Sequence, residues 1–410
     1  MSRLAAFLYL ATLALLPWGA IVPFPWLHAN AQWSDAVFAL AALAWGAGLV
    51  AARRRPRLRL VHAGLGLYLG WAAVSLLAAD PRPASGPAKL LGLAMLVALM
   101  VVTSEMARRP GMPSAIARTV SVTSLLTAVA ALVGVALSAT GRITPLVGTC
   151  GDLLPGPLSR AQAGFPHPNL LASYCVFASG VVAWPSAGLS RRLRGVVQAA
   201  LTVTVLLTFS RAILAFALAA AIRGAGTAKR QTLVKALAAT LVVAMVALTV
   251  VHVTFSPARP WAPQIRPGPS PRMEATATSL ETLGLHPLLG TGPGSTPGRR
   301  GGQPFDAHLT PLNVAATLGL PAVLGLLLVP VALWRARRRP TDRALWGMLA
   351  GLALDGLAQD VEDFRHLWVA FGLADAAAED PVASGGPRVP GQDSRPPAGI
   401  GPREEGSPSP

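Results

Sequence analysis

Charge is scarce in this sequence: Asp, Glu, Lys and Arg together make up 13% of its 410 residues. A chain that is mostly disordered, rich in charge and poor in apolar residues, is therefore excluded. Cysteine is scarcer still. Cys150 stands in a polar connection and Cys175 inside an apolar run, and two such residues supply neither a disulfide framework nor a zinc ligand set. No H-E-x-x-H pattern or other His and carboxylate set at ligand spacing occurs, so no catalytic metal is expected. Acidic residues are few, 18 against 35 Lys and Arg, giving a formal net charge of +17. In a soluble protein that excess would point to nucleic acid, but no surface interleaving aromatic and basic residues can be read from the sequence. A nucleic-acid partner is not expected.

What the sequence has instead is apolar length. Hydrophobic residues are 52% of the chain and the mean hydropathy is +0.51, the composition of a polytopic membrane protein. A helix crosses the hydrocarbon core in about 20 residues. Apolar runs of that order read as spans over 4–22, 36–52, 60–79, 90–106, 119–140, 170–185, 196–210, 212–222, 233–254, 310–334, 344–358 and 367–378. The expected fold is all-α, a polytopic integral membrane bundle of about twelve transmembrane helices with one long periplasmic loop between spans nine and ten. The first run follows only Arg3, and Ala29-Asn30-Ala31 would suit signal-peptide cleavage. The run is long for a signal peptide, so an uncleaved span is expected. Basic clusters at 53–59, at Arg108 and Arg109, and at 190–194, 229–230 and 335–339 alternate with connections poor in Lys and Arg. All fall on one side, which predicts cytoplasmic termini and puts the loops 141–169 and 255–309 outside the cytoplasm. Residues 1–378 then form the membrane domain, and 379–410, rich in Pro, Gly and Ser, read as a disordered cytoplasmic tail.

The organising stretch is 283–325, a Gly/Pro-rich segment with two histidines and a pair of arginines that runs into a long apolar helix. In a chain made mostly of apolar helix, a long water-side loop holding His and Arg is where chemistry is expected. His308 closes that loop at the mouth of the bundle, with Asp306 just before it. An imidazole titrating near pH 6.5 can take a proton from a hydroxyl, and as a general base it contributes roughly a hundred- to ten-thousand-fold. A plain interfacial histidine is the bland alternative. Upstream, 273–284 is predicted as an amphipathic helix on the membrane surface with Arg272 at its start. The GTGPG at 290–294 suggests a nucleotide loop, but no strand precedes it, and Pro293 and Pro297 keep a helix from opening behind it. Its expected role is only to let the loop fold back. Elsewhere, Thr208-Phe209-Ser210-Arg211 interrupts a long apolar tract. Arg211 there either snorkels to lipid headgroups or clamps phosphate with its fixed fork of donors. Arg160, in the other outside loop, has no topological role and is a candidate anion ligand, while His167-Pro168-Asn169 reads as a turn with Asn169 capping the helix that follows.

Three segments, RAQAGFPHPNLLASY, LTFSRAILAF, and HPLLGTGPG followed by DAHLTPLNVAATLGLPAVLG, resemble the O-antigen ligase and polymerase superfamily. Its members are polytopic glycosyltransferases that move glycans from a polyprenyl diphosphate carrier at the outer face of the bacterial inner membrane. His308 and Gly319, with ten residues between them, match the family's His-to-Gly spacing. Arg211 matches the arginine of its Thr-x-Ser-Arg segment, and Arg272 the arginine that opens the loop helix. Thr276 stands where the family usually has Leu or Trp, and Leu309 where many members have Asn.

The likeness covers residues 155–330. It implies an inverting transfer of a glycan from undecaprenyl diphosphate to an acceptor hydroxyl of lipid A core or another envelope glycan, in lipopolysaccharide or polysaccharide biosynthesis. His308 would be the catalytic base. Arg211, Arg272 and Arg160 would bind the diphosphate, with Asn169, Ser210 and Gly319 in support and no metal or cofactor. Ligase is the nearer likeness, and a polysaccharide polymerase of the same superfamily is the alternative. A polytopic transporter or lipid flippase is a third reading, weakened by the uncharged middle of most spans. Asp355 is the main exception; with Asp360, Glu362 and Asp363 beyond it, it is expected either to meet an arginine of the site or to be solvated.

Overall fold

The computed structural model describes residues 3–19, 31–53, 59–140, 142, 144–148, 160–224, 271–300, 302–336 and 343–378. The expected ninth span at 233–254, Cys150, the basic pair at 229–230, the first part of the long loop at 255–270 and the tail at 379–410 lie outside the described residues. Helices dominate what is described. In chain order they are α1 (Arg3–Leu15), α2 (Trp33–Ala51), α3 (Leu60–Ala78), α4 (Gly86–Ala107), α5 (Met112–Ala139), α6 (Pro168–Ala183), α7 (Arg191–Leu207) and α8 (Ala212–Gly224), then α9 (Pro271–Leu285), α10 (Thr310–Leu318), α11 (Leu320–Ala336), α12 (Arg343–Gly356) and α13 (Arg365–Ala377). Two pairs of two-residue antiparallel strands, β1 (Val147–Gly148) with β2 (Arg160–Ala161) and β3 (Arg299–Arg300) with β4 (Gln303–Pro304), pin the loops.

Four helices, α2 to α5, are long and apolar enough to cross a membrane, with 19, 19, 22 and 28 residues. At 1.5 Å per residue they run about 28 to 42 Å, against a hydrocarbon core of about 30 Å. Their starts are set locally. Proline occupies the first turn of α4, α5 and α6, where its missing N–H costs nothing. Asp35 reaches back to the Gln32 N–H at 2.9 Å to close a capping box on α2.

The core is apolar, but the outside of the bundle is apolar too. Large aliphatic side chains point out, with Leu43 71% and Val50 79% exposed, while polar groups turn inward and find each other. Tyr9 donates to Thr103 at 3.0 Å, and Thr123 meets the Tyr174 hydroxyl at 3.1 Å. The helices also approach closely at small residues, the packing that suits helices able to cross a membrane. A Cβ on Gly325 of α11 would lie 2.6 Å from the Tyr68 nitrogen of α3, and one on Gly351 of α12 would lie 2.7 Å from the Ala215 carbonyl oxygen of α8.

The single span expected over 310–334 is corrected: it is two helices, α10 and α11, broken at Gly319. Gly319 has φ +89, and a Cβ there would fall 1.8 Å from the Leu288 carbonyl oxygen. The glycine-rich segment fills the break. Thr291 N–H donates to the Ala316 carbonyl at 3.1 Å and Gly292 N–H to that of Thr317 at 2.8 Å, while Leu320 N–H reaches Pro287 at 2.9 Å. Helix-end carbonyls that would otherwise be orphans are thereby satisfied. From α3, Ser75 and Trp71 hold the same segment by its Leu289 and Leu288 carbonyls at 2.5 and 2.8 Å. The GTGPG is thus a docked plug rather than a slack return, which corrects the role expected of it.

Helix α4 serves as a ruler, its ends roughly 33 Å apart. At its start Lys89 meets Glu362 and Asp363 at 3.1 and 2.6 Å; at its end Arg108 meets Asp375 at 2.6 Å. Asp306, two residues before His308, lies within range of the charges of Lys89 and Asp363, so the His308 loop belongs to the Lys89 end.

Candidate active site

The site is assembled from three loops. In the first, β2 carries Arg160, and Pro168 occupies the first position of α6, so the residue before it must cap the helix. That residue is His167: its Nδ1 accepts from the Asn169 N–H at 3.1 Å. The expectation that Asn169 is the cap is corrected by one turn of logic, since a proline at the first helical position moves the cap to its predecessor. Asn169 is instead a second-position residue whose Oδ1 accepts from Arg160 Nη2 at 2.6 Å. Arg160 is 6% exposed, and its Nε also donates to the Thr208 carbonyl at 2.7 Å. It joins the His167 turn to the second loop.

That second loop is the break between α7 and α8. Thr208 ends α7, Phe209 turns the chain at φ +45, and the buried Ser210 Oγ accepts from the Ala212 N–H at 3.3 Å to start α8. The turn leaves Arg211 exposed. Three of its residues are held from within or by Arg160, so the backbone that carries Arg211 is fixed by the fold.

The third loop holds Arg272 at the second residue of α9, and His308 just ahead of α10. The expected helix over 273–284 is there, as the middle of α9. Its small face, Ala275 and Ser279, is fully buried, while Met273 and Leu280 are exposed. His308 has φ +48, and its ring stands edge-on to Phe305 with centroids 4.9 Å apart. A non-glycine residue held in the left-handed region is uncommon and gathers at functional sites.

Electrostatics tie the loops together. Partial burial, followed by the charges of Arg272, His167 and Arg211, pushes the His308 imidazole down to about 4. His167 is also lowered, by partial burial first and then by Arg160 and Arg272. Desolvation followed by Arg211 and Arg160 lowers even Arg272. Residues far apart in sequence therefore form one cationic group around a neutral imidazole. Among the described residues, no carboxylate is found in the charges acting on His308, His167 or Arg272.

The acidic connection 357–364 supports this group from the other side. Thr310, the first residue of α10, donates to the Gln359 carbonyl at 3.0 Å and accepts from the Val361 N–H at 2.9 Å; Asn313 donates to Asp360 at 2.6 Å. These three bonds fix the start of the helix that His308 precedes. Asp355 meets neither fate expected of it: it is 2% exposed and accepts from Gln359 Nε2 at 2.5 Å. His167, Thr310 and Asn313 were missed by sequence reasoning, although a His-Pro pair ahead of an apolar run was a legible sign for the first. Among the described residues no group of three His, Cys, Asp or Glu could hold a metal ion. Comparison of the chain with protein-family models, with curated proteins and with solved structures finds no match.

Proposed function

We propose that the chain is a polytopic inner-membrane glycosyltransferase of the O-antigen ligase kind, with cytoplasmic termini and its site on the periplasmic side. It transfers a glycan from undecaprenyl diphosphate to an acceptor hydroxyl with inversion. One observation carries this reading: Arg211, Arg272, His167 and His308 converge from three loops, and among the described residues no carboxylate is found in the charges acting on Arg272, His167 or His308. Cations crowded together without counter-charge suit an anionic ligand, and a planar guanidinium suits a phosphate oxygen pair.

The chemistry follows from the same group. His308, neutral at pH 7, accepts the acceptor's hydroxyl proton as that oxygen attacks the anomeric carbon. The bond from that carbon to the diphosphate breaks, and its electron pair leaves on the phosphate oxygen. Charge grows there, so fixed arginines stabilise the transition state more than the ground state. An imidazole held near 4 is a weak base. A bound diphosphate offsets Arg211 and Arg272 and raises it, so the base strengthens when the donor is in place.

The test is glycan transfer from an undecaprenyl-diphosphate donor by protein reconstituted in lipid. His308→Ala and Arg211→Ala should each abolish transfer while the protein stays folded and membrane-embedded; wild-type transfer by either variant removes the proposal. Deleting the gene separates ligase from polymerase, because a lost ligase leaves long chains on the carrier and a lost polymerase leaves single repeat units on the lipid core.

A further inference from the structure

Resting on the diphosphate reading above, we propose that His167 is a further substrate-binding residue, whose Nε2–H donates a hydrogen bond to a phosphate oxygen of the glycosyl diphosphate beside Arg211 and Arg272. The helix cap fixes its tautomer. Nδ1 accepts from the Asn169 N–H at 3.1 Å, and a ring nitrogen that accepts carries no proton, so the proton of the neutral imidazole sits on Nε2. The ring is partly exposed, and no bond to Nε2 occurs among the described residues. Pro168 locks the backbone immediately behind it.

The surroundings say what that donor faces. Arg160 and Arg272 act on His167, and His167 acts on His308, so its ring borders the space those cations share. The choice of residue is informative as well. Asn, Ser or Asp would cap α6 with a shorter side chain; histidine caps it with one nitrogen and keeps a second, oppositely directed donor. That donor adds hydrogen bonding to the site without adding a further positive charge to a group that already repels itself. As the diphosphate departs and its charge rises, the bond from Nε2–H strengthens with it.

The full chain in lipid nanodiscs is titrated with geranylgeranyl diphosphate, and glycan transfer from the undecaprenyl-diphosphate donor is measured on the same preparations. His167→Asn keeps an acceptor at the Nδ1 position and loses the Nε2 donor. It should melt at the wild-type temperature and bind the diphosphate about ten- to a hundred-fold more weakly, as for a lost hydrogen bond to a charged group. His167→Ser, a second capping residue too short to reach the ligand, should behave alike. His167→Gln, whose amide nitrogen extends to the Nε2 position, should recover part of the affinity. Wild-type affinity in His167→Asn and His167→Ser overturns the proposal, and so does wild-type protein that binds no diphosphate. If His167→Asn binds and transfers normally while His308→Ala is inactive, glycosyl transfer stands and His167 is only a cap. If diphosphate binding depends on His167 but the wild-type protein transfers nothing, glycosyl transfer falls and the diphosphate site remains.

Discussion

Two arginine clusters, one at each end of the bundle, are treated in opposite ways. At one end Arg59 binds Asp375 through its carbonyl and carboxylate at 2.9 and 3.0 Å, Arg108 takes the other carboxylate oxygen at 2.6 Å, and Ser104 joins at 2.5 Å. Asp375 is 1% exposed, so this is a buried, neutralised joint between α3, α4 and α13. At the other end Arg211 acts on Arg272, and no carboxylate among the described residues is found in the charges acting on Arg272. The first arrangement is structure, since removing either partner strands a buried charge. The second opposes stability, which fits the anionic ligand proposed for it.

Substitution breaks the comparison most directly. Arg108→Ala should destabilise the protein by about 3–5 kcal/mol, because Asp375 is left buried and half-paired, while transfer per folded molecule is retained. Arg211→Ala and Arg272→Ala should reverse that pattern. Each is expected to lower transfer by about a hundred- to a thousand-fold with a melting temperature equal to wild type or slightly above it, since repulsion is relieved. Thermal melts and transfer rates on the same membranes decide it; equal destabilisation at both ends would erase the distinction.

Two substitutions sharpen the same contrast within the His308 end, where scaffold and site meet. Gly319→Ala places a methyl group against the Leu288 carbonyl at a positive φ. It should cost about 3 kcal/mol or more by dislodging the plug from the helix break, visible as early unfolding and as faster hydrogen exchange in 286–292. Arg160→Lys keeps the charge but loses the fork that holds Thr208 and Asn169 together. Its expected effect is about a tenfold fall in kcat/KM, carried mainly by KM, with little change in melting temperature. A loss as deep as that of Arg211→Ala would make Arg160 a direct ligand rather than the brace behind Arg211.

How much of this was legible depends on the range of the interaction. Arg211 and Arg272 stood out because any arginine is conspicuous beside apolar runs, and His308 because it ends the long polar loop. The long helices α2 to α5 matched their apolar runs for the same local reason. Asn169 was misassigned as the cap since His-Pro-Asn offers two capping residues and only the proline between them decides. The docking of 287–292 was invisible because its partners, Ala316, Thr317 and Leu320 on one side and Trp71 and Ser75 on the other, come from distant segments. Lys89 with Glu362 and Asp363, and Asp355 with Gln359, are likewise contacts that periodicity cannot pair.

The smallest expected effect probes the unneutralised end without removing a ligand. His308 sits near 4, below its ordinary 6.5, through desolvation and then Arg272, His167 and Arg211. Its folded value is the lower one, so between pH 6.5 and 4 the unfolded chain binds the proton first. This group therefore lowers stability as pH falls through that window and has no effect above it. The acid limb of transfer should accordingly lie near pH 4 in the free enzyme, and the His308 ring signal in an NMR titration should move there rather than near 6.5. Arg272→Gln should raise that midpoint, and saturating pyrophosphate should raise it in wild type as well, because both subtract positive charge beside the ring. A midpoint near 6.5 in the wild-type protein, unmoved by pyrophosphate, would mean that the cations are neutralised after all and that the two arginine clusters do not differ in kind.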